Sequence, residues 1–280
     1  MAGAVRGLSA RLRDVSGLLA GRFGRPDVCA HETDPVRNLV LTVLSQNTTD
    51  ANRDRAYDRL VKRFPTLPAL AAARPSELEE AIRVGGLARA KAKSILGALA
   101  RIRAERGGFS LDFLRGMPLP EAREYLTSFP GVGVKTANIL LLFSFGMPAF
   151  PVDTHVLRVT KRLGLVPGTS TLVKAAHSLE PHVGTGDHGP LHHNLIRLGR
   201  EVCRPRNPLC AECPLLPVCP VGARNVKRKG RPAPERNTLP GVPPQQEKRG
   251  AQPKRKGHRP SPGPTTLPGV PSRRKNRGHP

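Results

Sequence analysis

The sequence predicts an all-α protein. Apolar residues recur at every third or fourth position in several separate stretches, which is the spacing of amphipathic helices. The alternation of apolar and polar residues that is typical of strands is absent from these stretches. Proline and glycine interrupt them at about the distances expected of helix connections. With 280 residues, of which 38% are hydrophobic, the chain can bury the core of one or two domains.

The first helix is predicted near the N-terminus, where Val5, Leu8, Leu12, Val15 and Leu19 have helical spacing. The segment is also rich in Arg and poor in acidic residues, as organelle transit peptides are. Its regular amphipathic spacing favours the alternative that it is part of the fold. It lacks the uninterrupted apolar run of a secretory signal.

Three further apolar stripes predict helices in the first half of the chain, each with one face turned towards a core. The stripes consist of Val36, Leu39, Val40, Val43 and Leu44; of Tyr57, Leu60, Val61 and Phe64; and of Ile95, Leu96, Leu99 and Ile102.

The segment YLTSFPGVGVKTANILLLFSFG, residues 125–146, predicts a helix-hairpin-helix. Gly131, Val132 and Gly133 form the turn, and the second helix is expected to begin near Val134. The two glycines let the backbone turn so that amide N–H groups point outwards at the positive end of that helix. Such a turn binds the phosphates of a nucleic acid backbone and does not read base edges.

Lys135 and Asp153 are the candidate catalytic residues. Lys135 is predicted in the first turn of a helix, where the macrodipole disfavours a cation and should lower the pKa of the amine. Asp153 begins another predicted helix and has two interpretations, which both stay open. It is an N-cap, or it is the carboxylate partner of an amine that must be neutral to attack a sugar C1′.

Four of the five cysteines lie close together. They are Cys203, Cys210, Cys213 and Cys219, with the spacing C-x6-C-x2-C-x5-C. Disulfides are not expected, because they form in oxidising compartments and no secretory signal is evident. A structural zinc ion and an iron–sulfur cluster both stay open. The spacing favours the cluster, because zinc sites usually pair two short C-x2-4-C knuckles and this segment has one.

Both the body and the C-terminal tail of the chain are basic. The formal net charge is +25, and the residues from Val221 onward contribute +14 of it through 16 Lys or Arg and two Glu. This charge indicates a polyanionic partner. Nucleic acid is favoured over lipid, because no apolar run is long enough to span a membrane. The tail, residues 223–280, has almost no large apolar residue and is predicted to be disordered.

These motifs together resemble the endonuclease III family of DNA glycosylases, of the helix-hairpin-helix superfamily. The resemblance lies in the hairpin FPGVGVKTAN, in the VDTH that follows it and in the spacing of the four cysteines. LSQNTTD at residues 44–50 and IRVGGLARAKAKSI at residues 82–95 match further family segments. The resemblance covers about residues 1–220.

The resemblance implies a two-lobed fold. A six-helix barrel is expected over residues 37–147, and a discontinuous iron–sulfur domain over residues 1–36 and 148–222. The four cysteines then look like the ligands of a 4Fe-4S cluster. We expect this cluster to be structural and its loop to bring Arg204 and Arg206 to DNA phosphates.

The resemblance also implies the reaction of a bifunctional DNA glycosylase and AP lyase of base excision repair, acting on oxidised pyrimidines of the thymine glycol type. The damaged nucleotide is flipped out of the duplex. Lys135 displaces the base and forms a Schiff base with the sugar, and β-elimination cleaves the strand 3′ to the abasic site. Asp153 assists the amine and the departing base.

Further residues match family positions at the DNA interface. Leu87 matches the wedge leucine that fills the opened helix, and its alternative interpretation is a core residue. The gap-filling glutamine of the family corresponds to Asn47, with Gln46 one place earlier, which leaves the lesion preference open. Asp50 and Lys91 also match, with an exposed acid at a helix start and a solvated lysine as their alternatives.

Two other functions stay open. A mismatch-specific or monofunctional glycosylase of the superfamily is one, although those relatives carry a different residue where Lys135 stands. A non-catalytic iron–sulfur protein that only binds DNA is the other. The expected partner is duplex DNA that contains damaged bases or abasic sites, and not a membrane. We expect a monomer in the cytoplasm of a bacterium, associated with the nucleoid through DNA.

Overall fold

The computed structural model describes residues 7–27 and 32–229 of the chain. Val5, Cys29 and the predicted tail from residue 230 onward lie outside the described residues. Within the described part the chain is helical and has no β-strand, which confirms the predicted class. None of the helices in this part is long and apolar enough to cross a membrane.

Twelve α-helices account for most of the described residues. They are α1 (Leu8–Phe23), α2 (Pro35–Leu44), α3 (Asp50–Arg63), α4 (Leu67–Ala71), α5 (Pro75–Ile82), α6 (Ala88–Arg106), α7 (Leu119–Thr127), α8 (Val134–Phe145), α9 (Thr154–Arg162), α10 (Leu172–Leu179), α11 (His188–Glu201) and α12 (Pro220–Lys229). Short 3-10 helices occupy Arg83–Gly85, Asp112–Gly116, Glu180–His182, Cys210–Glu212 and Leu216–Val218.

The predicted apolar stripes lie on α1, α2, α3 and α6. Local sequence defines where several of these helices begin. At α2, Oδ1 of Asp34 accepts hydrogen bonds from the N–H groups of Val36 (2.8 Å) and Arg37 (3.2 Å). At α3, Oγ1 of Thr49 accepts from the N–H of Asn52 (3.3 Å). These caps satisfy N–H groups that have no partner inside their helix.

Two hydrophobic clusters form the interior of one compact unit. The first runs from Val36 to Ala149 and joins α2 to α8. The second combines the buried face of α1 with residues from Phe150 to Leu215. Burial of these side chains is the main source of stability, at roughly 25 cal/mol for each Å² of apolar surface removed from water.

A buried polar network connects the two clusters. The guanidinium of Arg123 donates to both carboxylate oxygens of Glu180, each at 2.7 Å, and its Nε donates to Oδ1 of Asn138 at 2.8 Å. Glu180 accepts in turn from the N–H of Phe150 (2.9 Å), and Nδ2 of Asn138 donates to the Phe150 carbonyl (3.0 Å). The network holds α8 against the segment that leads into α9.

The predicted start of the disordered tail at residue 223 is wrong, because α12 extends to Lys229. Contacts with the cysteine segment explain the helix. The N–H of Gly222 donates to Sγ of Cys219 (3.2 Å), and Nδ2 of Asn225 donates to Sγ of Cys210 (3.4 Å). These residues therefore belong with the cysteines that precede them.

Candidate active site

The hairpin between α7 and α8 has the predicted turn. Gly131 has φ +75°, and a Cβ on this residue would lie 2.2 Å from Oγ of Ser94, so a larger residue would be strained and would have to displace the Ser94 side chain. Gly133 is the N-cap of α8 and provides no side-chain cap. The first turn of α8 therefore starts without a side-chain acceptor for its N–H groups, which suits an anionic ligand at this end.

The expectation that Val132 contacts DNA is wrong. Its side chain is only 5% exposed and belongs to the first hydrophobic cluster. Its N–H donates to the carbonyl of Phe129 at 3.1 Å and is not available to a phosphate. Val132 anchors the turn, and the neighbouring glycines remain the candidates for backbone contact.

Lys135 and Asp153 lie at the N-termini of two helices that the structure brings together. Lys135 is half-buried in the first turn of α8. Asp153 caps α9, with Oδ1 accepting from the N–H of Val156 at 2.8 Å, which confirms the N-cap interpretation. That bond uses one carboxylate oxygen, so the cap does not rule out a second role for the group.

The electrostatic surroundings lower the pKa of Lys135, as predicted, but not for the predicted reason. Burial is the largest cause, because it disfavours the charged amine. The guanidinium of Arg200 lowers the pKa further, whereas the carboxylates of Asp153 and Asp50 raise it. A larger fraction of Lys135 is therefore neutral at a given pH than of a solvated lysine.

The sequence did not point to Arg200. Its Nη1 donates to Oδ2 of Asp50 at 2.8 Å, and this ion pair joins α11 to the first turn of α3. Both groups are about half exposed, so the pair contributes little to stability. Arg200 belongs to no local motif, and its approach to Lys135 depends on the packing of α11 beside α8.

His192 lies buried where the charges of Lys135 and Asp153 both act on it. Its Nδ1 is 2.8 Å from the carbonyl oxygen of Pro151, and burial, with His193 as a further cause, lowers the pKa of His192 to about 4. The ring is therefore neutral at physiological pH. It fastens α11 to the segment that precedes Asp153.

Leu87 is a large apolar side chain that faces solvent. It is 58% exposed and has φ +51°, a left-handed conformation that is costly for a side chain of this kind. The core interpretation of Leu87 is therefore wrong. Asn47 is also exposed and left-handed, with φ +50°. One depression lies between the turns of Asn47 and Gly86, so the two turns face the same region.

Gln46 and Asn47 have different environments. Nε2 of Gln46 donates to the carbonyl of Gly131 (3.0 Å) and to Oγ1 of Thr136 (3.2 Å). Gln46 therefore connects its own turn to the hairpin and to α8, and Asn47 is the residue whose side chain faces outwards. Asp50 is exposed in the first turn of α3, as expected.

Lys91 is neither a solvated lysine nor a DNA contact, so both sequence-based interpretations are wrong. Its side chain is 2% exposed. The ammonium donates to the carbonyls of Leu44 (2.7 Å) and Gly85 (2.8 Å), and burial lowers the pKa of Lys91. A periodic pattern could not reveal this, because the two acceptors are main-chain atoms of other segments.

The four cysteines line one cavity, which Arg162 and α12 help to enclose. Sulfurs of three cysteines accept hydrogen bonds: Cys203 from Nη1 of Arg162 (3.2 Å), Cys210 from Asn225 and Cys219 from Gly222. Burial raises the pKa of Cys219, and raises that of Cys213 to about 11.

These thiols have the donor chemistry of a cluster site. Buried thiols with raised pKa values stay protonated unless a cation offsets the thiolate charge, and N–H donors to sulfur favour the thiolate. Within residues 7–27 and 32–229, no three or more His, Cys, Asp or Glu side chains meet at the distances that a single metal ion requires, so the fit to a larger cluster rests on the shared cavity and on the donor chemistry of the four thiols. Arg204 and Arg206 lie exposed in the same segment, and Nε of Arg204 donates to the carbonyl of Glu201 (3.1 Å).

Known proteins match both the sequence and the structure. Residues 40–182 match the family of HhH-GPD superfamily base excision DNA repair proteins. The chain is 39% identical to endonuclease III of Thermotoga maritima over 205 residues, which cover 73% of this chain and 92% of that protein. It is 36% identical to endonuclease III of Bacillus subtilis over 196 residues, which cover 70% and 85%.

A solved structure also matches, at 32% identity and a TM-score of 0.67, with 78% of this chain and 98% of that chain covered. It is a trapped endonuclease III–DNA covalent intermediate in an estranged-adenine complex. From these matches and from the motifs above, the chain belongs to the HhH-GPD superfamily and, within it, to the endonuclease III family of DNA glycosylases and AP lyases.

Proposed function

We propose that this base excision repair glycosylase removes oxidised pyrimidines of the thymine glycol type and then cleaves the strand through a lysine Schiff base. The observation that carries the proposal is the environment of Lys135. Its amine is half-buried at the uncapped end of α8, its pKa is lowered by burial and by Arg200, and the carboxylate of Asp153 interacts with it electrostatically. An amine in this setting suits nucleophilic attack on C1′.

In the proposed first step, the lone pair of the neutral Lys135 amine attacks C1′ of the flipped nucleotide. The bond from C1′ to the base breaks, and the base leaves with the electron pair and takes up a proton. Asp153 stabilises the positive charge that develops on the sugar and accepts the proton that the attacking amine loses.

In the second step, the lone pair of the Lys135 nitrogen expels O4′ from C1′, O4′ takes up a proton, and the opened sugar carries an iminium between Lys135 and C1′. The iminium makes the C2′ hydrogens acidic, so a base can remove a proton from C2′ and leave the electron pair of the C2′–H bond in an enamine. The C3′–O bond then breaks and the 3′ phosphate leaves with its electron pair. Water hydrolyses the resulting imine and regenerates the free amine, so the β-elimination product is released.

The exposed Leu87 and Asn47 supply the means to open the duplex. We propose that Leu87 fills space next to the flipped nucleotide and that Asn47 faces the base left opposite it. Both residues have left-handed backbone conformations, which are strained at Leu87, and both side chains are exposed. A leucine that is 58% exposed at a strained position contributes little to packing, which supports a role in the DNA-bound state.

The hairpin and the cysteine segment would bind the DNA backbone on the two sides of the site. The N–H groups at Gly131 and Gly133 suit phosphate contact, and the exposed Arg204 and Arg206 add cations. These contacts carry no sequence information, in keeping with an enzyme that must act wherever damage occurs.

The endonuclease III family generally carries a 4Fe-4S cluster, and Cys203, Cys210, Cys213 and Cys219 fit one. We propose that they hold it. A bound cluster would supply a structural cross-link of this segment rather than a step of the reaction. We also propose that residues 37–147 form the barrel domain and that residues 1–36 and 148–222, with α12 extending the latter to Lys229, form the cluster domain.

The test is to measure base release and strand cleavage separately on duplexes that contain thymine glycol, an abasic site or a mismatch. We expect base release from the thymine glycol duplex and strand cleavage at thymine glycol and at the abasic site. Lys135→Gln should lose the cleavage. Base release without cleavage would indicate a monofunctional glycosylase. Binding without release or cleavage would indicate the non-catalytic alternative.

A further inference from the structure

Lys91 is a buried charged group that the proposed reaction does not use. It projects from the first turns of α6 into the interior, and its side chain is 2% exposed. Burying an ammonium is costly unless its N–H groups find acceptors. The acceptors here are two main-chain carbonyls, of Leu44 at 2.7 Å and Gly85 at 2.8 Å.

The two carbonyls belong to two turns that face the depression described above. Leu44 is the last residue of α2 and stands three residues before Asn47. Gly85 ends the 3-10 helix Arg83–Gly85 and stands two residues before Leu87. The single ammonium therefore joins the turn of Asn47 to the turn of Leu87.

The packing around this ammonium leaves little freedom for the two turns to move apart or together. A Cβ on Gly85 would lie 3.2 Å from Cβ of Ala56 and 3.8 Å from Nζ of Lys91. Gly85 and Ala56 are both buried, so the backbone of this turn rests directly on α3. The other turn is attached to the same nitrogen, because Nζ of Lys91 also donates a hydrogen bond to the carbonyl of Leu44.

The two residues that face outwards share a left-handed backbone conformation, with φ +50° at Asn47 and φ +51° at Leu87. Asn adopts this region readily, whereas Leu holds it only where the surroundings enforce it. A short ammonium bridge between the main chains just before both residues supplies that constraint.

We propose that Lys91 is a positioning residue that sets the separation of Asn47 and Leu87, so that the two side chains enter an opened duplex together. The inference rests on the proposed function of these two residues in DNA opening. It predicts that loss of the ammonium slows opening of a paired duplex and leaves the chemistry at Lys135 intact.

The test compares two substrates in single-turnover strand cleavage. One is an abasic site in a fully paired duplex, and the other is the same site in the centre of a short unpaired bubble. Lys91→Met keeps the length of the side chain and removes the ammonium. Lys62→Met, at an exposed position near the end of α3, is the matched control.

For Lys91→Met, we expect the ratio of the rate on the paired duplex to the rate on the bubble to fall by about tenfold, the effect of losing one or two buried hydrogen bonds. The wild-type protein and Lys62→Met should share one ratio. An unchanged ratio in Lys91→Met would overturn the inference, whether its two rates fall together or stay at the wild-type values.

Two additions keep the test decisive. If Lys91→Met has no cooperative thermal transition, Lys91→Arg takes its place, since it keeps a cation of different shape and should lower the same ratio by a smaller factor. In the background of Leu87→Ala, removal of the ammonium should have a smaller effect on the ratio than in the wild type. A wild-type protein that cleaves neither substrate would refute the proposed function itself, together with this inference.

Discussion

The helical core and the cysteine segment, residues 203–219, are ordered by different means. In the first hydrophobic cluster, side chains such as Leu140 and Ile102 are fully buried among apolar neighbours. Among residues 203–219, all of which the structure describes, Leu215 is the only buried residue. The difference shows that a segment with little core of its own depends on polar contacts and on its four thiols for a defined conformation.

Replacement of one thiol should have the largest effect. Cys210→Ala removes one wall of the cavity and the acceptor of Nδ2 of Asn225, so we expect loss of bound iron, a lower thermal transition and weaker DNA binding. Iron content, calorimetry and a binding titration measure these three. Val218→Ala, at an exposed position of the same segment, is the control. Unchanged iron content and unchanged stability in Cys210→Ala would contradict the proposed cluster site.

A cavity made in the helical core should reduce the stability of the protein without changing the iron content of the cysteine segment. Leu140 is fully buried on α8, so Leu140→Ala should reduce the free energy of unfolding by about 2–5 kcal/mol. Iron content per folded chain should stay at the wild-type value, because Leu140 belongs to the first hydrophobic cluster and three of the four cysteines pack against the second. Denaturant unfolding and an iron assay on the same samples test this. Loss of iron in proportion to the loss of stability would show that the two regions are not independent.

Arg162 should have an intermediate effect on the cysteine segment. Its guanidinium donates to the carbonyls of Arg204 (2.8 Å) and Pro205 (3.0 Å) and to Sγ of Cys203 (3.2 Å). Arg162→Met should therefore speed the loss of iron on dilution into chelator, with a stability loss of about 1–3 kcal/mol. The adjacent Lys161→Met is the matched control. Equal rates of iron loss in the two variants would show that the guanidinium does not hold this segment.

Removal of the residues after Lys229 should have the smallest effect on the fold. This part of the chain carries many cations and almost no large apolar residue, so the thermal transition should not change. The slope of log K for undamaged DNA against log salt concentration should become less steep, because fewer counterions are released. Truncation at residue 223 would instead remove most of α12, which contacts the cysteines. An unchanged salt slope after removal of residues 230–280 would show that the tail does not bind DNA.

The sequence was sufficient for the helical class, the hairpin and the family. Periodic apolar positions on α2, α3 and α6 reflect burial on one face, and the FPGVGVKTAN turn needs its glycines for reasons that are local. Asp153 as an N-cap is also a local property. These features depend on residues that are close together in the chain, so the local sequence pattern predicts them.

The rest depends on contacts between distant segments. Arg200 approaches Lys135 through the packing of α11 and pairs with an aspartate far away in the chain. The burial of Lys91 could not be predicted, because a lysine in a helix is usually solvated and the two carbonyl acceptors of this one belong to other elements. The inward orientation of Val132 could not be predicted either, because spacing alone does not show which residue of a turn faces the core.

The most direct test is borohydride trapping of the wild-type protein and of Lys135→Ala on a duplex that contains an abasic site, measured as a function of pH. A protonated amine cannot attack, so the trapping rate should rise with pH and level off above the pKa of Lys135. Because burial and Arg200 lower that pKa, the midpoint should lie below the ordinary pKa of a lysine, and Lys135→Ala should give no adduct. An adduct that persists in Lys135→Ala, or a wild-type midpoint at the ordinary lysine value, would contradict the role assigned to Lys135.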